Sequence, residues 1–86
     1  MNELTVDARG RRCPLPIIDL AAAARDAPPG TVITLLADDP AAAADVAAWC
    51  RMRDQEYEGG TPLDEPSGTG GGPGGAVAYR VRIRKA

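Results

Sequence analysis

The stretch TVITLLADDP, residues 31–40, decides the fold because it joins a strand directly to a helix. Its first part, residues 31–37, is β-branched or apolar on both faces, a pattern typical of a strand in the interior of a sheet. Its last part is typical of a helix start after Asp38, because Asp39 can accept a hydrogen bond from a free amide and Pro40 suits the first helical position. The stretch therefore predicts an interior strand followed at once by a helix.

Helical periodicity surrounds this strand on both sides. After it, apolar residues recur at three- and four-residue steps. Their predicted buried face is Ala42, Ala43, Val46, Trp49 and Cys50. Before it, another helix is expected to begin at Pro14 and to end at Pro28-Pro29-Gly30. The expected apolar residues of that first helix are Ile17, Ile18, Ala21 and Ala24.

Alternation of apolar and polar residues predicts three further strands. The first, at residues 4–7, is expected to turn Leu4 and Val6 to the core. A short strand follows the second helix at residues 55–58, with Tyr57 as its apolar anchor. The last segment alternates most regularly: its apolar face is Val77, Tyr79, Val81 and Ile83, and its other face is Ala78, Arg80, Arg82 and Arg84.

The predicted element order, β-α-β-α-β-β, indicates an α/β fold. We expect a two-layer sandwich in which two helices pack on one face of a four-stranded mixed sheet. A chain of 86 residues builds one small core, so residues 1–86 are expected to form a single domain. Residues 59–75 hold most of the glycines and predict a flexible hairpin loop between the last two strands.

Composition and charge disfavour several classes of function. The net charge is −2 and the pI is about 4.9, which argues against a general nucleic-acid-binding protein. Histidine is absent and Asp38 and Asp39 lack further ligands beside them, so we expect no metal and no cofactor. No apolar run approaches the ~18 residues that span a bilayer, and no secretory signal precedes the first strand, so a cytoplasmic protein without a membrane partner is expected.

Cys13 is the candidate reactive residue. It is expected at the N-cap of the first helix, with Pro14 at the first helical position and Pro16 in the first turn. The positive end of the helix dipole and any free amides there would favour the thiolate over the thiol. Its basic neighbours, which would act in the same direction, are Arg9, Arg11 and Arg12. A thiol activated by its electrostatic surroundings, without a base, suits a residue that accepts and passes on sulfur better than a hydrolase.

Other interpretations concern the remaining cysteine and the last strand. Cys50 lies on the predicted buried face of the second helix and is expected to be a core residue, whereas no apolar stripe includes Cys13. A redox pair of Cys13 and Cys50 is a further hypothesis, which requires Cys50 to leave the core. The arginines of the last strand form either a solvated face or a docking surface for an acidic partner or RNA: Arg80, Arg82 and Arg84.

Four stretches of the chain form a familiar pattern. They are DARGRRCPLP at residues 7–16, PGTVITLLADDP at residues 29–40, DVAAWCR at residues 45–51 and YRVRIRK at residues 79–85. Together they resemble the TusA-like (SirA-like) family of small sulfur-carrier proteins, over nearly the whole chain outside residues 59–75. The Cys-Pro-x-Pro segment at the first helix is the most specific part of this resemblance.

The resemblance implies a two-layer α/β sandwich and a cytoplasmic sulfurtransferase that carries sulfane sulfur as a persulfide on the motif cysteine, Cys13. Such carriers take sulfur from a cysteine desulfurase or a rhodanese-like donor and pass it to an acceptor protein, for example in tRNA thiolation or sulfur oxidation. Stable binding of nucleic acid is not expected. Pro14 and Pro16 match the prolines of the motif, and Asp39 matches an acidic position that can lie at a partner-docking surface.

The chain departs from the family pattern in two short motifs, and its hairpin connection is longer than the family's usual short turn. The chain has Asp54-Gln55-Glu56 where the family often has Gly-His-Glu, and Arg11 where leucine is common. The second departure adds positive charge near the motif cysteine. An alternative function from a different class is a non-catalytic regulatory or adapter protein that docks a partner through Asp39 or through the arginines of the last strand.

Overall fold

The elements follow one another in the predicted order, β-α-β-α-β-β. The computed structural model describes residues 3–12, 14–62 and 76–84. Their secondary structure comprises β1 (Glu3–Asp7), α1 (Leu15–Asp26), β2 (Val32–Ala37), α2 (Ala42–Arg53), β3 (Glu56–Pro62) and β4 (Val77–Arg82). Cys13 and residues 63–75 of the predicted loop lie outside the described residues.

The strands of the described residues form one mixed sheet in the order β1-β2-β4-β3. β1 runs parallel to β2, whereas β4 runs antiparallel to both β2 and β3. β2 therefore hydrogen-bonds to a strand on either side, which confirms the interior strand predicted from residues 31–37. The predicted four-stranded mixed sheet is also confirmed.

Both helices cover the same face of this sheet. Alternate residues of the two central strands point towards the helices and are fully buried, among them Ile33, Leu35 and Val81. They share one hydrophobic core with residues of both helices: Leu20, Ala24, Val46, Trp49 and Cys50. The residues between them, such as Thr34 and its pairing partner Arg80, lie on the face that the helices leave open. The two-layer α/β sandwich is thus confirmed.

The buried side of each helix differs in part from the predicted side. Pro16, Leu20 and Ala24 are buried in α1, whereas Ile18 is 55% exposed and its prediction as a core residue is wrong. Ala43 of α2 is exposed as well, so its predicted burial is also wrong. Apolar residues occupy more than one side of each helix, so periodicity allows more than one rotation, and packing against the sheet selects one of them.

Leu4 faces the core without being buried in it. The register pairs Leu4 with Ile33 and Val6 with Leu35, so both side chains point to the helix-covered face, as predicted. Leu4 is nevertheless 41% exposed, and an open cavity of about 500 Å³ lies beside it. Because β1 lies at the edge of the sheet in the order above, the helices cover it less well than they cover the central strands.

Both helices begin later than predicted. Pro14 takes the N-cap position that was predicted for Cys13 and does not occupy the first helical position, and Pro40 lies in a turn before α2. Asp39 accepts a hydrogen bond from a free amide, as predicted, because its Oδ1 lies 2.8 Å from the amide nitrogen of Ala41. Prolines are tolerated at these positions since amides before and within the first turn have no helical partner.

β3 extends through glycines that composition assigned to a loop. It runs to Pro62, so residues 59–62 belong to a strand and not to the predicted loop at residues 59–75. A bulge just before Gly60 interrupts the pairing with β4, and Gly59 has a φ of 99°, which few residues other than glycine adopt. Hydrogen bonds to β4 stabilise this strand although its own residues have low strand propensity.

A Gly60→Ala substitution is expected to destabilise the fold. The added methyl carbon would lie 2.9 Å from two ring carbons of Tyr79 and 3.0 Å from Cγ1 of Val77, closer than carbon atoms pack. Because Tyr79 is buried, its ring has little room to move away. We expect the free energy of unfolding, measured in urea, to fall by about 1–3 kcal/mol. Thr61→Ala, at the exposed neighbouring position, is the control, and equal stability of Gly60→Ala and the wild type would contradict this close approach.

Candidate functional site

The charged residues of the predicted site lie in the segments that follow β1 and β2: Arg9, Arg11, Arg12 and Asp39. The two strands are parallel, so their carboxyl ends meet at the same edge of the sheet and the segments that leave them lie side by side. The amide of Ala8 donates to the carbonyl oxygen of Leu36 over 2.7 Å, and Ala8 is fully buried. This contact anchors the beginning of the segment that leads to the Cys-Pro-x-Pro motif.

A second contact ties the same two segments together. The amide nitrogen of Gly10 lies 3.0 Å and 3.1 Å from the two carboxylate oxygens of Asp38. Gly10 has a φ of 81°, in the left-handed region that favours glycine. Local sequence patterns place Asp38 at a helix start and do not reveal this contact. The signal that could have revealed it is a glycine that follows one parallel strand and an acid that directly follows the next.

An open cleft of about 480 Å³ lies between these segments. Its lining residues are Gly10, Arg11, Arg12, Asp38, Asp39 and Pro40. Three of the predicted site residues are therefore brought together: Arg11, Arg12 and Asp39. Three others are described but do not line the cleft: Arg9, Pro14 and Pro16. The cleft thus presents both guanidinium and carboxylate groups at its surface.

The three arginines of this segment have different surroundings. Nε and Nη2 of Arg9 lie 2.9 Å and 2.8 Å from the carboxylate oxygens of Asp7, and these hydrogen bonds lower the pKa of Asp7 to about 2. Nε of Arg11 lies 2.8 Å from Oδ2 of Asp19 in α1. Arg12 forms no ion pair with any residue that the structure describes. Its guanidinium is therefore the one of the three best able to meet an anion.

The first turn of α1 offers few amides to an anion. Pro14 and Pro16 have no amide hydrogen. The amide of Leu15 donates to the carbonyl oxygen of Arg12 over 2.8 Å, and the next two amides both donate to the carbonyl oxygen of Pro14 over 3.0 Å. Among residues 14–18 each amide is thus absent or already bonded, and the free amides expected from the sequence are not found there. The helix dipole and Arg12 remain as sources of positive potential.

The model of a family described as Sulfurtransferase TusA matches residues 4–65, most of the chain. The chain belongs to the TusA sulfurtransferase family. Its members are sulfur carriers that relay sulfur between proteins, which confirms the resemblance drawn from the sequence. The matched range includes the Cys-Pro-x-Pro motif and both segments that line the cleft.

The arginines of β4 in this TusA-family chain lie on the open face of the sheet, but acidic side chains accompany them. Nε of Arg82 lies 2.9 Å from Oε2 of Glu58, and Glu56 stands opposite Arg82 in the register. Beyond the end of β4, the amide of Arg84 donates to Oε1 of Gln55 over 2.6 Å. Gln55, which stands where the family often has histidine, therefore holds the backbone that follows β4 through this hydrogen bond. Mixed charge on this face weakens the case for docking of an acidic partner there.

Cys50 is a buried cysteine of this TusA-family chain, as predicted. It is 2% exposed, and burial raises the pKa of its thiol to about 11. Near neutral pH the thiol is therefore protonated, and a protonated thiol is a poor nucleophile. Cys50 has the properties of a core residue and lacks those of a sulfur acceptor.

Neither a metal centre nor a membrane-spanning helix is found among the described residues. They hold no group of three or more His, Cys, Asp or Glu side chains that could bind a metal ion. Neither α1 nor α2 has the length and the apolar composition required to cross a bilayer.

Proposed function

We propose that this chain carries sulfur as a persulfide on Cys13 and relays it from a donor protein to an acceptor protein. The observation that carries the proposal is the match to a family of sulfur carriers over the segment that contains the Cys-Pro-x-Pro motif. The described residues that precede and follow Cys13 in the sequence support it, because Arg12 lines the cleft and Pro14 is the N-cap of α1. Positive charge and a helix start therefore flank the proposed carrier residue in the sequence.

The first step is attack by a thiolate on a persulfide. The Cys13 thiolate attacks the outer sulfur of a donor persulfide, the sulfur–sulfur bond of the donor breaks, and the donor cysteine leaves as a thiolate. Cys13 then holds the outer sulfur as a persulfide. No oxidant is needed, because the sulfane sulfur passes from one thiol to another without a net change in oxidation.

In the second step Cys13 becomes the sulfur donor. A thiolate of the acceptor attacks the outer sulfur of the Cys13 persulfide, and Cys13 leaves as a thiolate that can accept sulfur again. A low thiol pKa helps both steps, since it raises the thiolate fraction and makes Cys13 a better leaving group. The chain has no histidine. We therefore assign the stabilisation of the thiolate to the dipole of α1 and to Arg12, and not to a general base.

The partners in this proposal are proteins. We propose a cysteine desulfurase or a rhodanese-like protein as donor and a second protein as acceptor, in a cytoplasmic pathway such as tRNA thiolation or sulfur oxidation. Arg11 and Asp39 line the same cleft as Arg12 and offer both signs of charge to a docking partner. Arg9 is held by Asp7, so we assign it to the shape of the turn after β1. The proposal involves no cofactor, no membrane and no stable complex with nucleic acid.

Mass spectrometry after exposure to sulfur donors tests the proposal. The protein is incubated with a desulfurase and cysteine, or with a rhodanese and thiosulfate, alkylated to trap persulfides and digested with trypsin. Because trypsin cleaves after Arg25, Cys13 and Cys50 fall on different peptides. We expect one added sulfur atom on the Cys13 peptide and none on the Cys50 peptide. Absence of added sulfur on the Cys13 peptide with both donors, or equal labelling of the two peptides, would refute the proposal.

A further inference from the structure

Asp38 bridges the two segments from which the cleft is built. Both of its carboxylate oxygens accept a hydrogen bond from the amide of Gly10, at 3.0 Å and 3.1 Å. The two residues are 28 positions apart in the sequence, so their contact depends on the parallel pairing of β1 and β2. Gly10 shortly precedes Cys13 in the chain. Asp38 therefore holds the backbone that leads to the proposed carrier cysteine.

Two backbone hydrogen bonds also hold the segment that leads to Cys13. The amide of Ala8 donates to Leu36 over 2.7 Å, and the amide of Arg11 donates to the carbonyl oxygen of Ala8 over 3.2 Å. A carboxylate accepts a backbone hydrogen bond more strongly than a neutral carbonyl does, so Asp38 is a strong anchor for this loop. The adjacent acid has a different role, since Asp39 accepts a hydrogen bond from the turn before α2.

We propose that Asp38 is a positioning residue for sulfur transfer, which holds the backbone of residues 10–12 and with it Arg12, the residue that precedes Cys13 in the sequence. This inference rests on the proposed function of Cys13. We assign the effect of Asp38 to the hydrogen bond from the amide of Gly10 and not to contact with the transferred sulfur. Its effect on transfer therefore depends on the hydrogen bond from Gly10, which the carboxylate accepts strongly and which an amide oxygen can still accept.

Two variants separate these effects, because charge and hydrogen bonding act on the Cys13 thiol in opposite directions. Loss of a nearby negative charge alone lowers the pKa of a thiol. Loss of the hydrogen bond to Gly10 releases the loop, lets Arg12 leave its place and raises the pKa of the thiol. Asp38→Asn removes the charge and keeps an acceptor oxygen, whereas Asp38→Ala removes both.

The experiment measures the rate of Cys13 alkylation by iodoacetamide against pH, together with the rate of sulfur loading from a desulfurase. We expect Asp38→Ala to move the alkylation profile to higher pH and to slow sulfur loading by about tenfold. Asp38→Asn is expected to load sulfur nearly as fast as the wild type, with a profile at the same or lower pH. Asp26→Ala, which removes an exposed carboxylate at the end of α1, is the matched control and is expected to change neither rate.

Three results would overturn the role of Asp38. They are wild-type loading by Asp38→Ala, alkylation profiles that move to lower pH in both variants, and a loss of loading in Asp38→Asn as large as in Asp38→Ala. If Asp38→Ala does not fold, the test rests on Asp38→Asn, which retains an acceptor oxygen. Sulfur loading by Asp38→Asn well below the wild-type rate would then overturn the role of Asp38. Wild-type protein that takes up no sulfur would count against the proposed function itself, whereas the alkylation profiles report on Asp38 separately.

Discussion

Replacing Cys13 by serine is expected to abolish sulfur transfer, because a serine hydroxyl stays protonated near neutral pH and forms no persulfide. The measurement follows labelled sulfur from cysteine, through a desulfurase and this chain, to an acceptor thiol. Cys50→Ala is the matched control. It removes a thiol that is buried and has a pKa of about 11, so transfer is expected to stay close to the wild-type level.

The same variant separates the carrier from the adapter. An adapter that docks a partner through Asp39 or through the arginines of β4 would keep its cellular role when Cys13 is replaced by serine, whereas a carrier would lose it. Transfer by Cys13→Ser at the wild-type rate would contradict the carrier mechanism. If the single substitution Cys50→Ala, with Cys13 retained and the fold intact, also abolished transfer, the result would favour the redox pair of Cys13 and Cys50.

Leu20→Ala is expected to cause a large loss of stability. Leu20 is fully buried in the core between α1 and the sheet, so truncation removes apolar contacts and leaves a cavity. We expect the free energy of unfolding to fall by about 2–5 kcal/mol. This is a large share of the roughly 5–15 kcal/mol that holds a typical domain together. Urea denaturation followed by the fluorescence of Trp49, the one tryptophan of the chain, measures the change.

Ile18→Ala provides the control within the same helix. Ile18 has a side chain of the same size as Leu20 but is 55% exposed, so its truncation removes much less buried surface. We expect a change of less than about 1 kcal/mol. Equal losses in the two variants would show that the buried side of α1 has been assigned wrongly.

The pair Leu20 and Ile18 also illustrates how far periodicity predicts this fold. In β4, alternation with period two correctly predicted that Tyr79 and Val81 are buried, because a strand has only two faces and one of them meets the helices. In α1, alanine and isoleucine surround much of the helix, so several rotations satisfy the same pattern. Contact with the sheet selects the rotation that buries Leu20, and no local property of the helix distinguishes it.

The glycines of β3 illustrate a second limit. Residues 59–62 have the composition of a loop, yet β4 supplies hydrogen bonds that hold them as a strand. The energy that forms this strand comes from a partner distant in sequence. Composition therefore predicted the end of β3 too early, and only the pairing of the two strands revealed its length.

The sequence by itself determined the element order, the interior position of β2, the family, the burial of Cys50 and the basic neighbours of Cys13, because each depends on local pattern or on a contiguous motif. The tertiary structure alone decided which charges meet. It brought the carboxylate of Asp38 within hydrogen-bond distance of the amide of Gly10 and paired Arg11 with Asp19. It also placed Arg12 in the cleft without a paired carboxylate among the described residues. These contacts exist because the parallel pairing of β1 with β2, and the helix between them, bring segments together that are distant in the sequence. Periodicity describes only neighbouring residues and does not show which distant segments meet.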